Sequence, residues 1–310
     1  MKEKLRIIFM GTPEFAVPGL QKLVESGYNI VAVVTAPDKP KGRGKKLGTS
    51  AVKDYALTAD LPILQPTNLK SPEFLEELAS FKADLQIVVA FRMLPVAVWD
   101  MPPLGSYNLH ASLLPNYRGA APINWAIING EKETGVTTFK LKHEIDTGNI
   151  LFQEKEPILS DDNVGTLYER LMHKGAELLL KTVETISSGE YELKPQIHTT
   201  DTKHAPKIFK EDCEISWNQT GQRINDFIRG LNPYPAAWTK FRDQTMKIYE
   251  AKISDQNYSS APGTFHSDGK NYIDVKTEDG SLRLMEIQLQ GKKRMKTADF
   301  LRGYHWDSSN

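Results

Sequence analysis

The sequence predicts an α/β protein in two parts, a doubly wound, Rossmann-like domain followed by a small, mostly β domain. In the first part, short apolar runs alternate with segments of helical periodicity, the pattern of a parallel sheet with helices on its faces. Later in the chain, short apolar segments are separated by turn signals. A length of 310 residues is enough for two domains, each with its own core.

The elements of the first part follow in chain order. Apolar runs at residues 5–10, 30–34 and 85–90 predict buried strands. A helix ends near Gly27, and because proline is costly inside a helix, its regular part is expected to begin near Val17-Pro18. Another helix opens at Ser71-Pro72, where serine suits the cap and proline the first turn.

The next elements close the first domain. Residues 134–142 and 150–158 flank a turn, which predicts an antiparallel pair at the edge of the sheet. Residues 164–187 carry apolar side chains at helical spacing and predict one long helix that ends at Gly189. We therefore expect a first domain over residues 1–189.

The composition changes after Gly189. Residues 190–207 mix proline, histidine and threonine, which indicates a linker, and the second domain is expected over residues 208–310. A helix near 221–229 precedes apolar segments at 238–241, 246–251, 272–275 and 282–289, separated by Asp-Gly turns. Periodicity alone predicts only a small β domain here.

Composition limits the class of protein. The formal net charge is zero, so any RNA contact must come from local basic patches. The single cysteine excludes an internal disulfide and fits a reducing compartment. No apolar run reaches the ~20 residues that span a bilayer, and the N-terminal residues lack the pattern of a signal peptide. We expect a cytoplasmic protein without a membrane segment.

Residues 106–122 carry the strongest functional signal. Asn108 and His110 are two residues apart in an extended segment, so both side chains point to one face. Asp146 follows in a turn before Gly148. An amide, an imidazole and a carboxylate together suit chemistry at a carbonyl group. Taken singly, a lone histidine is more often structural and an aspartate before glycine is more often a turn residue.

In their sequence context these residues resemble the folate-dependent formyltransferases. The resemblance rests on Asn-Leu-His-Ala-Ser-Leu-Leu-Pro at 108–115, Tyr-Arg-Gly-Ala-Ala-Pro at 117–122 and Asp-Thr-Gly at 146–148. It extends over nearly the whole chain. It implies a formyltransferase domain followed by an OB-like barrel, with 10-formyltetrahydrofolate as the formyl donor.

The resemblance also implies roles for the three polar residues. Asn108 would hydrogen-bond the formyl oxygen, and His110 would stabilise the oxyanion of a tetrahedral intermediate. Asp146 would hold the charge of His110 and help to remove a proton. Donors preorganised in this way are each worth roughly 10²–10³ in rate.

By the same resemblance, the donor pocket is lined by the segment after the strand at 85–90, by the turn after His110 and by the residue before Asp146. The backbone path of the first segment is expected to matter more than the identity of Arg92. The expected folate-binding residues are Phe91, Arg92, Met93, Leu94, Ser112, Leu113, Leu114, Pro115 and Ile145.

Two basic segments bear on the formyl acceptor. The first basic segment spans residues 37–46, and the second spans residues 292–296. In isolation either segment could be a solvated loop, but beside a formyltransferase core they indicate contacts to RNA phosphates and to an unpaired end. We therefore predict methionyl initiator tRNA as the acceptor and a monomeric protein. The expected tRNA-binding residues are Lys39, Lys41, Arg43, Lys45, Lys46, Lys292, Lys293 and Arg294.

Other functions remain as alternatives. A sugar-nucleotide N-formyltransferase would use the same donor and catalytic residues. Its small acceptor would not need the two basic segments. A formyltetrahydrofolate hydrolase would not need the second domain, and a dehydrogenase of that kind would need a longer chain. A non-catalytic RNA-binding protein is disfavoured by the intact polar residues.

Resident metals and nucleotide cofactors find no support in the sequence. The histidines and the single cysteine show no His-x-x-x-His or Cys-x-x-Cys spacing. The loop after the first strand, Gly-Thr-Pro at 11–13, matches neither a dinucleotide-binding nor a Walker pattern. We expect no metal.

Overall fold

A computed structural model describes residues 4–41, 46–197 and 199–306 of the chain. The chain divides into two compact units. The first unit comprises Met1–Gly119, Thr134–Pro157 and Tyr168–His204. The second comprises Ala120–Glu133, Ile158–Leu167 and Ala205–Asn310. The domain boundaries expected at residues 189 and 208 stay a prediction.

The first unit is built on a seven-stranded sheet. Its strands are β1 (Arg6–Gly11), β2 (Asn29–Val34), β5 (Ile63–Leu64), β6 (Leu85–Val89), β7 (Ser106–His110), β9 (Glu133–Lys140) and β10 (Ile150–Pro157). Their order is β10-β9-β7-β6-β1-β2-β5. The run from β7 to β5 is parallel, and β9 is antiparallel to β7. The predicted doubly wound sheet with an antiparallel pair at its edge is confirmed.

Helices of this unit begin where the sequence places caps. Ser71 accepts a hydrogen bond from the N–H of Phe74, and Ser50 accepts one from the N–H of Lys53. Pro18 lies in the first turn of its helix, as expected. The helices are α1 (Val17–Glu25), α2 (Ala51–Thr58), α3 (Pro72–Ser80), α4 (Val96–Trp99) and α6 (Val164–Ser188), the last starting within the second unit.

The faces of β7 decide where its polar residues lie. A Cβ added to Gly175 of α6 would stand 2.8 Å from Leu109 Cδ2, so Leu109 packs directly under that helix. Asn108 and His110 therefore lie on the opposite face of the sheet, since side chains alternate along a strand. They are at the carboxyl end of a parallel strand, where open α/β sheets place their ligands.

The second unit contains an antiparallel sheet. Its strands are β12 (Ala237–Phe241), β13 (Gln244–Ser254), β14 (Phe265–Ser267), β15 (Ile273–Lys276), β16 (Ser281–Leu289) and β17 (Met295–Lys296). Register shifts between Ile248 and Ala251 interrupt the pairing of β13 with β16, and such irregularities bend a sheet. The result is a curled half-barrel, which confirms the predicted β domain.

The helices of the second unit come from distant parts of the chain. They are α5 (Pro122–Ile128), α7 (Gly221–Leu231) and α8 (Thr297–Arg302). Buried apolar residues from α7, α8 and the sheet form one core that includes Ile224, Ile228, Ile248, Ile287 and Phe300.

Several short elements were not predicted. The sequence pattern does not predict the helices α2, α4, α5 and α8 or the strands β5, β14 and β17. It also missed the hairpin of β3 (Lys39–Lys41) with β4 (Lys46–Gly48) and the two-residue pair of β8 (Arg118–Gly119) with β11 (His204–Ala205). Most span fewer than two periods of their own pattern, too few for hydrophobic periodicity to register. Within the described ranges, every helix is too short or too polar to cross a membrane.

Candidate active site

The structure brings His110 and Asp146 together. His110 ends β7 with 8% of its surface exposed, and its Nδ1 lies 3.8 Å from Asp146 Oδ2. That distance is longer than a hydrogen bond, and the contact is an ion pair when the imidazole is protonated. On the other side of the ring, Nε2 lies 2.8 Å from the carbonyl oxygen of Tyr117. Because a carbonyl only accepts, Nε2 carries a proton and donates it.

Asp146 is held by backbone as well. Its Oδ2 accepts a hydrogen bond of 3.0 Å from the N–H of Gly119. The carboxylate is thus shared between a backbone donor and the imidazole, with 11% of its side chain exposed. The backbone N–H of Gly119 therefore helps to hold this carboxylate close to His110.

Asn108 shares the face of His110. It pairs with Val88 on one side and with Phe139 on the other, and its side chain is half-buried. Two residues along a strand separate the two Cα atoms by roughly 7 Å. The three predicted catalytic residues therefore stand around one end of β7.

The backbone is unusual at three points next to these residues. Ala90 (φ +47°), Tyr117 (φ +61°) and Asp146 (φ +53°) all adopt the left-handed region without being glycine. Such conformations cost of order 1–3 kcal/mol each and persist where the surroundings hold them. Tyr117, for example, donates its N–H to the carbonyl of Lys203 at 2.6 Å.

One residue that supports Asp146 was missed by the sequence reading. The amide nitrogen of Gln196 donates to the carbonyls of Asp146 (2.9 Å) and Gly148 (2.7 Å). Its Oε1 accepts from Arg118 Nε at 3.1 Å. Gln196 lies in the segment that the composition marked as a linker, and no local pattern singles it out.

Arg118 lies beside the same turn and is 8% exposed. Burial lowers the pKa of its guanidinium, while the nearby carboxylates of Asp146 and Glu144 oppose that shift. Because a guanidinium stays protonated in proteins, Arg118 places a positive charge beside Asp146.

The turn after His110 is anchored by β9 and β10. The hydroxyl of Thr137, fully buried, donates to the carbonyl of Ser112 at 2.6 Å and accepts from the N–H of Leu114 at 3.2 Å. Gln153 donates to the carbonyl of Leu114 at 2.9 Å and to the Thr137 hydroxyl at 3.0 Å. These two anchors were also missed, because their partners in the turn lie 23 to 39 residues away in the chain.

The predicted folate residues of this turn divide by exposure. Ser112 and Leu114 are buried, and the Ser112 hydroxyl donates to the carbonyl of Asn116. Leu113 and Pro115 are half-buried. Ser112 is 0% and Leu114 3% exposed, so Leu113 and Pro115 are the residues of this turn that keep surface for a ligand.

The segment after β6 offers apolar surface. Phe91 and Leu94 pack partly against the core, whereas the side chain of Met93 is exposed, as is that of Ile145 before Asp146. Arg92 donates to the carbonyls of Thr67 (3.0 Å) and Pro66, and burial lowers the pKa of its guanidinium. Its side chain therefore holds a neighbouring loop, and the importance of the backbone path for donor binding stays a prediction.

The predicted tRNA residues of the first basic segment fall partly within the described residues. Lys39 is exposed at the start of β3. Lys41 and Lys46 are backbone partners in the register of β3 and β4. Arg43 and Lys45 lie outside the described residues.

The second basic segment is not uniform. Lys292 and Lys293 are exposed. Arg294 instead pairs with Glu286 at 2.5 Å and lies over the ring of Tyr249 at 4.0 Å. The hydrogen bond from Arg294 to Glu286 raises the pKa of the guanidinium. Over the ranges that the structure covers, no group of three or more His, Cys, Asp or Glu residues is arranged to hold a metal ion.

Comparison with known proteins adds to this geometry. The profile described as formyl transferase matches residues 4–183, and the profile of the formyl transferase C-terminal domain matches residues 207–305. The chain is 54% identical to the methionyl-tRNA formyltransferase of Bacteroides fragilis over 312 residues, covering 98% of this chain and 96% of that protein. It is 55% identical to the methionyl-tRNA formyltransferase of Parabacteroides distasonis over 313 residues, covering 98% and 97%.

Solved structures share the fold at lower identity. An N-formyltransferase from Helicobacter canadensis in complex with folinic acid and dTDP-3-aminofucose superposes with a TM-score of 0.68 at 22% identity, covering 90% of this chain and 98% of that one. HypX from Aquifex aeolicus in complex with tetrahydrofolic acid gives 0.66 at 19% identity, and this chain spans about half its length, 47%, while 96% of this chain is covered.

Proposed function

Since the chain belongs to the formyl transferase family, we propose that it transfers the formyl group of 10-formyltetrahydrofolate to the α-amine of methionyl initiator tRNA, for translation initiation. The observation that carries the choice of acceptor is the similarity to relatives of that name, which holds from end to end and at more than half of the aligned positions. The pairing of His110 with Asp146 at the end of β7 supplies the chemistry.

The reaction is an attack of an amine on a formyl carbon. The amine attacks as the free base, a new N–C bond forms, and the carbonyl electrons move onto oxygen. The tetrahedral intermediate collapses when the bond between the formyl carbon and N10 of the folate breaks. The proton lost by the amine ends on N10, so no covalent bond to the protein is required.

Three side chains divide this work. Asn108 donates its amide N–H to the formyl oxygen. His110, with both ring nitrogens facing protein groups, contributes the positive charge of its imidazolium to the developing oxyanion. Asp146 stabilises that charge and receives the amine proton through water or through His110.

The donor is expected to lie between the two segments that the resemblance marks. Met93 and Ile145 expose apolar side chains suited to the face of a pterin ring. We expect Arg92, Phe91 and Leu94 to shape one wall of the donor site, and the turn from Ser112 through Leu113 and Leu114 to Pro115 to shape the other.

The acceptor is expected to contact the hairpin of β3 with β4 and the exposed Lys292 and Lys293. Lysines on a hairpin reach RNA phosphates, which supplies affinity without sequence reading. Arg43 is assigned to the unpaired end of the acceptor stem. The catalytic part is placed in residues 1–189 and the tRNA-binding part in 208–310 of a monomeric, cytoplasmic protein.

One turnover assay tests the function. With 10-formyltetrahydrofolate as donor, charged initiator tRNA, charged elongator methionine tRNA and a dTDP-amino sugar are compared as acceptors. We expect kcat/KM to be highest for the initiator tRNA. A higher kcat/KM for the amino sugar would assign the chain to sugar-nucleotide formylation instead.

A second assay tests the acceptor contacts. Neutralising Lys45 and Lys46 should lower the log–log salt dependence of tRNA affinity by roughly one per lost phosphate contact. Arg43→Ala should reduce discrimination between initiator and elongator tRNA. Donor affinity serves as the control and should stay unchanged in each variant. If all these variants formylate initiator tRNA like the parent, the hairpin does not contribute to tRNA binding.

A further inference from the structure

Gln196 belongs to a segment that is tied to the edge of the sheet. The backbone of Lys194 exchanges two hydrogen bonds with Ile150, at 2.7 and 2.8 Å, just where β10 begins. Gln196 follows two residues later, half-buried, and its side chain reaches the turn that carries Asp146. The segment therefore has a defined position from which that side chain acts.

The amide of Gln196 uses both of its ends. Its two N–H groups go to the carbonyls of Asp146 and Gly148, and its oxygen accepts from the guanidinium of Arg118. Exchanging the amide oxygen and nitrogen would point oxygen at two carbonyls and N–H groups at a cation. Only one orientation of the amide satisfies all partners, so glutamine is well matched to this place.

The turn needs such support. Asp146 has φ +53°, in the left-handed region that few residues other than glycine adopt and that costs of order 1–3 kcal/mol. A Cβ on Gly148 would stand 1.7 Å from the carbonyl oxygen of Lys140, so the turn is pressed against β9. The two carbonyls bound by Gln196 flank this tight stretch. Without those bonds, Asp146 is free to return to negative φ, which swings its carboxylate away.

The contacts of that carboxylate are the ones the reaction needs. Asp146 Oδ2 lies 3.0 Å from the N of Gly119 and 3.8 Å from Nδ1 of His110. Both distances depend on the backbone conformation of Asp146, since a rotation about φ moves the whole side chain. A displacement of about 1 Å at a reacting group can cost on the order of 10² in rate.

We propose that Gln196 is a positioning residue that sets the carboxylate of Asp146 against His110 through the backbone of the 146–148 turn. It touches neither the donor nor the acceptor. Arg118 orients the Gln196 amide by donating to its oxygen. This inference rests on the proposed function of the site, because the carboxylate matters only if Asp146 takes part in formyl transfer.

The first test separates positioning from binding. Gln196→Met keeps the length of the side chain and removes both donors, and Gln196→Glu keeps its shape while removing the N–H groups. We expect kcat to fall roughly 10- to 100-fold, with the KM of both substrates within twofold of the parent. Lys194→Ala, an exposed side chain on the same segment, is the matched control and should leave kcat unchanged.

A double-mutant cycle shows whether Gln196 acts through Asp146. In an Asp146→Asn background, Gln196→Met should change the residual kcat by less than twofold, because the group it positions is already lost. The same fold loss in both backgrounds would overturn the proposal. If Gln196→Met fails to fold, Gln196→Glu takes its place in the cycle.

A readout without turnover completes the design. Hydrogen exchange of the Gly119 amide, which donates to Asp146, should accelerate at least tenfold in either Gln196 variant and stay unchanged in Lys194→Ala. If the parent formylates tRNA and both Gln196 variants keep its Gly119 exchange rate and its kcat, the positioning role alone is overturned. A parent inactive on every tRNA would overturn the proposed function, while the exchange result would still decide the role of Gln196.

Discussion

Asp274 in the second unit and Asp146 in the first are both nearly buried carboxylates, but their surroundings differ. Asp274, 0% exposed, accepts two hydrogen bonds from Arg283 at 2.8 and 2.9 Å, and others from the hydroxyls of Ser254 and Tyr258. Arg283 is its direct partner across the β15–β16 ladder. Asp146 accepts from a backbone N–H and faces an imidazole at 3.8 Å.

The difference separates a stabilising network from the proposed catalytic site. In the sheet, side chains saturate the carboxylate of Asp274, and the regular register supplies the partner. At the site, backbone groups and distant side chains hold Asp146 in a left-handed conformation and leave its charge facing His110. A left-handed backbone at Asp146, with none at Asp274, supports the catalytic role that we propose for Asp146.

The largest expected effect tests the network in the sheet. Arg283→Met leaves the carboxylate of Asp274 buried without its cation, and should lower the free energy of unfolding of the second unit by about 3–5 kcal/mol. Arg294→Met, which breaks a more exposed pair with Glu286, should cost less than about 1 kcal/mol. Urea unfolding followed by tryptophan fluorescence measures both. Equal losses of unfolding free energy in the two variants would contradict the expected difference between the Asp274–Arg283 pair and the Glu286–Arg294 pair.

The next effect concerns the site. Alanine in place of Asn108, His110 or Asp146 should lower turnover at least ~10²-fold, while circular dichroism and thermal unfolding stay close to those of the parent. The losses should not add in double variants, because the three groups act on one intermediate. A folded His110→Ala protein with near-parent turnover would contradict the catalytic assignment.

A smaller effect sharpens the comparison within one strand. Thr137→Val removes the hydroxyl that ties Ser112 and Leu114 to β9, and should raise the KM of the folate donor about tenfold while costing about 1–3 kcal/mol of stability. Thr138→Val is the matched control, because Thr138 bonds Thr182 on the opposite face. It should cost similar stability and leave the donor KM unchanged. Equal KM changes would show that the turn does not border the donor.

The smallest expected effect lies in the second basic segment. Lys292→Ala and Lys293→Ala should each lower the log–log salt slope of tRNA binding by roughly one if each contacts a phosphate. Arg294→Met should change that slope less, because Glu286 and the ring of Tyr249 already engage its guanidinium. A larger slope change in Arg294→Met than in the two lysine variants would contradict this ranking.

Much of the fold was predictable because its determinants are local. The strands β1, β2 and β6 are short apolar runs, and the long helix α6 carries its apolar stripe over many turns. Strands of two residues, such as β8 and β11, are too short for an alternating pattern to predict them. The hairpin of β3 with β4 is held by backbone pairing and has no apolar alternation, so the sequence predicted a basic segment there but not the hairpin.

For the site, the sequence by itself determined which groups are present and which two share a face. Asn108 and His110 lie two residues apart on a strand, and alternation places them together whatever the rest of the chain does. Asp146 could be named only through the resemblance, since no local rule links it to a strand that ends 36 residues earlier.

Only the tertiary structure decided how those groups are held and which charges are already engaged. Gln196, Thr137 and Gln153 act on the site across long stretches of chain, and Arg294 is committed to Glu286. Apolar periodicity records which side of an element faces the core. The partner of a polar side chain depends instead on which distant segments folding brings within about 3 Å of it. That information is absent from any local window of the sequence.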